Sequence, residues 1–149
     1  MRIFRKKPLK LALPSQGRLL DLTEVPDEAF AQKMLGEGYA VDPIDGDIKS
    51  PIDGTISYIF PTGHAFGVEN DDFEILVHIG IDTVELEGKG FTAKKQAGDS
   101  VKAGEVVIVA DLEAIKQAGK PVITPVIVTP KGERKNIKLD LDAGTVEVD

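Results

Sequence analysis

Cysteine is absent from this chain of 149 residues. That excludes disulfide bridges, thiolate metal centres and a cysteine nucleophile. Histidine occurs only at His64 and His78, so any imidazole chemistry must use one or both. No apolar run approaches the ~20 residues of a membrane-spanning helix. The N-terminus has no apolar h-region or small-residue cleavage site, so no secretory signal is read there and the expected location is cytoplasmic. Helical periodicity is scarce. Asp27–Leu35, behind Pro26, supports about two turns with an apolar stripe, and Leu112–Gln117 supports another turn or two before Gly119.

The 42% hydrophobic and 29% charged content rules out disorder, collagen and coiled coil. The length suits one domain that buries roughly 70% of its unfolded surface, enough to stand without covalent staples. Charge is unevenly placed. Arg2, Arg5, Lys6, Lys7 and Lys10 crowd the first ten residues, while the other 139 carry 13 basic and 25 acidic side chains. An acidic body disfavours nucleic acid and suits a small basic protein partner. Residues 1–10 are read as a basic, flexible segment preceding a single domain at 11–149. Weak contact of that segment with anionic lipid, about 1 kcal/mol per basic side chain, is the functional alternative to a solvated terminus.

The 15 glycines and 9 prolines recur between short apolar runs, the punctuation of an all-β protein. Expected strands are Gly17–Leu22, Tyr39–Asp42, Asp47–Lys49, Gly54–Phe60, Ala65–Asn70, Phe73–His78, Gly90–Ala93, Ser100–Val101, Val106–Asp111, Val122–Val128, Ile137–Leu141 and Thr145–Val148. Strict alternation in the fourth would put Ile56 and Tyr58 on one face and Ser57 and Ile59 on the other. Pro14-Ser15-Gln16-Gly17 and Pro51-Ile52-Asp53-Gly54 are matching turns leading into strands. The echo suggests an antiparallel β-sandwich built from two similar motifs.

The densest stretch is Phe73–Val84, an apolar strand ending in His78 and a turn at Gly80. Pairing Ala65–Asn70 with Phe73–His78 across the Asp71-Asp72 turn sums partner numbers to about 143. His64 and His78 then fall at the same hairpin end, nearly opposite, provided that the register holds. Two adjacent imidazoles suit phosphoryl transfer, one attacking phosphorus and the other donating a hydrogen bond to its oxygens. They also suit metal binding if a third ligand arrives, with Asp82 four residues on. Thr62 could hydrogen-bond His64 and set its tautomer. A lone histidine ending an apolar strand is otherwise most simply structural.

Gly67–Phe91 resembles the active-site signature of the glucose-family enzyme IIA of the bacterial phosphoenolpyruvate:sugar phosphotransferase system. Pro14–Gly17, Val25–Asp27, Phe30–Met34, Gly36–Val41, Ser50–Thr55, His64–Phe66 and Ile123–Val126 fall in family order, so the resemblance spans about residues 11 to 130. It implies a phosphotransferase component with no cofactor. His78 would take a phosphoryl group on Nε2 from the phosphocarrier HPr and pass it to a cysteine of the IIB domain. His64 would support the transfer, with Thr62 bonded to it. Asp27 and Asp82 would form an acidic rim, and Phe30, Met34, Leu35, Phe60 and Val84 an apolar docking ring. Glu28 and Ala29 depart from the family's apolar residues there. No metal is required, although in enteric relatives the two histidines share zinc with a partner's carboxylate. The chain would act as a monomer, with the sugar set by its membrane partners.

Two rival readings concern other residues. Gly98–Val107 followed by Glu113–Lys116 is similar to a biotinyl or lipoyl carrier, with Lys116 as attachment site. His78-x-x-x-Asp82 matches half the ligand set of a LytM-type zinc endopeptidase, but the His-x-His half is missing.

Overall fold

Short alternating runs set between glycine and proline turns can bury an apolar face only by pairing at long range, and the chain does so, among the described residues, as thirteen strands and two short helices. The computed structural model describes residues 8–132 and 136–149. The strands are β1 (Leu9–Leu11), β2 (Gly17–Leu20), β3 (Gly38–Pro43), β4 (Asp47–Lys49), β5 (Gly54–Ile59), β6 (Ala65–Glu69), β7 (Phe73–His78), β8 (Phe91–Ala93), β9 (Ser100–Val101), β10 (Val106–Ala110), β11 (Thr124–Pro130), β12 (Ile137–Asp140) and β13 (Thr145–Val148). Helix α1 covers Glu28–Ala31 and α2 Leu112–Gln117, while 3₁₀ turns occupy Leu22–Glu24 and Thr83–Leu86.

A seven-stranded sheet runs β2-β3-β11-β7-β6-β5-β9, and two three-stranded sheets run β4-β10-β8 and β1-β13-β12. Every described pairing is antiparallel. One core joins all three sheets, with Tyr39, Phe66, Phe73, Ile48, Ile108 and Ile115 among its largest members. The all-β expectation holds. The paired turns also meet in space: Lys49 N–H donates to Pro14 O at 2.6 Å and Ala12 N–H donates to Pro51 O at 2.9 Å. The two copies of the Pro-x-x-Gly turn therefore grip each other's flanking chain reciprocally.

Four expectations change. Leu9 and Lys10, placed in the free basic segment, pair with Val148 and Glu147 and start the β-structure; Arg2, Arg5, Lys6 and Lys7 lie outside the described residues. The strand expected at Gly17–Leu22 stops at Leu20, because Asp21 accepts the Thr23 N–H and caps a 3₁₀ turn. The helix expected over Asp27–Leu35 shrinks to one turn, closed by Lys33 at φ 59°. Strand β5 does not alternate strictly. A bulge between Ile56↔Val68 and Tyr58↔Gly67 leaves Ser57 unpaired, so Ile56 and Ile59 face the core and Tyr58 faces out.

The close approach of β3 to β11 depends on Gly38. A Cβ there would sit 1.8 Å from Val126 O. Gly38→Ala should therefore cost about 3 kcal/mol or more, read as a lowered midpoint in urea unfolding; an unchanged midpoint would contradict this account of the β3–β11 contact.

Candidate functional site

Strand β7 alternates inward Phe73, Ile75 and Val77 with outward Glu74, Leu76 and His78, so His78 ends the strand on its outer face. The ladder to β11 stops at Val126↔Val77. The next β11 residue, Pro125, has no N–H to extend that ladder. On the other side the register is Ala65↔His78. His64 thus lies one step beyond the ladder, where alternation alone would turn it away from His78.

The β5–β6 loop removes that conflict. Phe60 N–H donates to Ala65 O at 3.0 Å, and Gly63, at φ 73°, donates to Phe60 O at 2.7 Å. His64 is the last residue of this loop, so its ring is free to swing across. The two imidazoles meet edge to face, with centroids 5.1 Å apart and planes at 77°. The sum rule of the hairpin holds to within one residue, and loop geometry supplies the remainder.

Each ring is fixed by a hydrogen bond through Nδ1. His78 Nδ1 lies 2.7 Å from Gly80 O. A carbonyl only accepts, so Nδ1 carries the proton and Nε2 keeps its lone pair. Gly80 can present that carbonyl because it adopts φ 73°, and a Cβ on it would stand 2.7 Å from Pro121 O and from Thr83 Cγ2. Buried Thr83 donates to Ile79 O at 2.6 Å, and Ile81 N–H donates to Pro121 O at 3.1 Å, which tie the loop down. His64 Nδ1 lies 2.6 Å from Thr62 Oγ1, the pairing anticipated for Thr62. His64 itself is buried, whereas His78 is partly open to solvent.

Burial pushes the His64 pKa down to about 4, and the neighbouring His78 adds to the shift. Burial also lowers His78, opposed by its bond to Gly80 O and by the charges of Asp27 and Asp82. Both rings are therefore neutral near pH 7 and offer a lone pair rather than a cation. Asp27 is half-buried, and its Oδ1 accepts from Ala29 N–H at 2.9 Å and Phe30 N–H at 3.4 Å. Asp82 is exposed at φ 59° and caps nothing with its side chain.

Of the expected apolar ring, Met34, Leu35, Phe60 and Val84 are exposed. Phe30 is instead only 6% exposed and packs against His78, with centroids 5.3 Å apart and planes tilted by 57°. Phe60 stands edge-on to His64 at 5.1 Å. Tyr58, absent from the sequence expectation, extends the exposed surface beyond Phe60 at 5.6 Å. Gly80 was read only as a turn; a backbone carbonyl has no side-chain signature to find it by. Lys116 lies on helix α2 rather than on the β-turn that a carrier lysine needs. Among the described residues no three His, Cys, Asp or Glu side chains converge to hold a metal. Two imidazoles alone fall short of a zinc site's usual complement.

The family model for the phosphoenolpyruvate-dependent sugar phosphotransferase system, EIIA 1, matches residues 9–133. The chain belongs to this family. It is a phosphoryl carrier and a phosphotransferase component, and neither the carrier-lysine nor the endopeptidase reading is favoured. A glucose-specific EIIA component of Oceanobacillus iheyensis is 44% identical, over 95% of this chain and 89% of that protein. A glucose-specific EIICBA component of Streptococcus pneumoniae is 48% identical over 85% of this chain, which spans only 18% of that longer protein. The solved glucose permease IIA of Mycoplasma capricolum superposes with a TM-score of 0.83 at 34% identity, covering 99% of both chains.

The lowered histidine pKa values set the sign of a pH effect. Unfolded imidazoles titrate near 6.5, so below that pH the unfolded chain binds more protons and stability falls. The urea midpoint should drop between about pH 7 and about pH 5, and drop less in His64→Gln. A midpoint that rises on acidification, or a His64→Gln variant with the full drop, would contradict the burial of a neutral His64.

Proposed function

We propose that His78 accepts a phosphoryl group on Nε2 from phospho-HPr and passes it to a cysteine of the IIB domain of a sugar permease, in the cytoplasm. The observation that carries this reading is the His78 Nδ1–Gly80 O bond at 2.7 Å, which leaves Nε2 unprotonated beside a second neutral imidazole. In the forward step the Nε2 lone pair forms the new N–P bond. The N–P bond of the donor phosphohistidine breaks and its electron pair returns to the donor ring. The proton stays on Nδ1, donated to Gly80 O, so no general base is needed. Bonds of one type are exchanged, which keeps the step near balance and reversible; the protein contributes position and electrostatics.

His64 supplies the electrostatics. With Thr62 donating to Nδ1, His64 Nε2 carries the proton and donates it as a hydrogen bond to the phosphoryl oxygens. Low basicity suits that role, since a neutral His64 neither traps phosphate as a cation nor loses its donor. The exposed Met34, Leu35, Phe60 and Val84 serve as the apolar surface that a partner covers, with Asp27 and Asp82 as its acidic rim. This arrangement fits transient docking of a basic partner by a single chain. Partnership with IIB is supported by the fused EIICBA relative. Zinc shared with a partner's carboxylate, and lipid contact by the basic N-terminal segment, are accessory proposals outside the transfer step.

Phosphorylation with phosphoenolpyruvate, enzyme I and HPr tests the assignment. His78→Ala should take no label. His64→Ala should accept label but deliver it to IIB about 10²-fold more slowly, the scale of losing one oxyanion donor. Label retained by His78→Ala would refute the role of His78.

A further inference from the structure

Phe30 sits where neither a docking residue nor a plain core residue would. It is 6% exposed, so a partner can touch little of it. It belongs to a small apolar cluster on the outer side of the large sheet, with Leu22, Val25, Ala40, Ile81 and Ile127, apart from the main core. Its ring lies 5.3 Å from His78 at a tilt of 57°, while His64 closes on His78 at 5.1 Å and 77°. The bond from His78 Nδ1 to Gly80 O restrains the ring within its plane; Phe30 and His64 restrain it out of plane. Ile81, in the same cluster as Phe30, follows Gly80 directly, so the cluster also anchors the carbonyl that sets the tautomer.

The placement of Phe30 depends on a second residue. Helix α1 is a single turn, too short to persist without a cap. Asp27 caps it, accepting the N–H groups of Ala29 and of Phe30 itself. The carboxylate expected on the docking rim is thus engaged in holding the turn that presents Phe30.

We infer that Phe30 is a positioning residue for phosphoryl transfer at His78, held in place by the Asp27 cap, and is not part of the surface that partners touch. The inference rests on His78 being the acceptor. It assigns Phe30 a part in the rate of the bound complex and none in the affinity of docking. Leucine in its place keeps apolar volume but loses the flat wall, and the His78 ring gains freedom about the axis that aims Nε2. Misaim of a reacting atom lowers rate without weakening association.

Single-turnover transfer from phospho-HPr, measured across HPr concentrations, separates the two. Phe30→Leu should lower the plateau rate about tenfold or more, with the half-saturating HPr concentration within about twofold of wild type. Asp27→Ala should lower the plateau in the same way. Asp27→Asn, which removes the charge but keeps a capping oxygen, should recover most of the plateau lost in Asp27→Ala. A raised half-saturating concentration with an unchanged plateau in Phe30→Leu would make Phe30 a docking residue and overturn the inference. Equal plateaus in Asp27→Ala and Asp27→Asn would overturn the role of the cap. A wild type that takes no label on His78 would instead overturn the underlying assignment, and this inference with it.

Discussion

The hydrogen bond from His78 Nδ1 to Gly80 O, 2.7 Å long, is the constraint on which the site depends. It selects one of two imidazole tautomers and so decides which nitrogen keeps its lone pair. Its geometry is set by backbone alone. Gly80 must be left-handed, and its missing Cβ lets the loop press against Pro121. Thr83 and Pro121 anchor the residues on either side. None of these groups needs to touch a substrate, yet each helps to fix the direction of one lone pair.

Electrostatics place the site on a different footing from its surroundings. The protein carries a net charge of −7, and two carboxylates, Asp27 and Asp82, act on His78. A phosphoryl group arriving there would meet repulsion, were the carboxylates aimed at it. Asp27 turns its oxygen toward the backbone of α1, and Asp82 is exposed at the mouth of the loop. Burial keeps both imidazoles neutral despite that acidic field. A neutral imidazole pair therefore sits within an otherwise acidic protein.

Much of this was legible in the sequence, and the reasons differ by element. Polarity patterns and Gly/Pro turns located most strands, because their periods and breakers are local. The pairing of β6 with β7 followed from one turn, since Asp71-Asp72 fixes a register that counting can use. The inward or outward setting of His64 was not countable; it depends on how the loop from Phe60 to His64 closes. The burial of Phe30 was hidden for a related reason, because its neighbours Ala40, Ile81 and Ile127 come from distant strands and loops. The bulge at Ser57 reversed the expected facing of Tyr58 and Ile59, since an extra residue in one strand leaves no mark on composition. Strand β1 was missed because three residues beside a basic run carry too little pattern, and only β13 gives them a partner.

The tautomer of His78 tests the central claim most directly. A long-range proton–nitrogen correlation spectrum of the unphosphorylated protein at neutral pH distinguishes a protonated ring nitrogen from one with a free lone pair. The structure predicts that His78 shows Nδ1 protonated and Nε2 unprotonated. A spectrum with the proton on Nε2, or with both nitrogens protonated, would contradict it.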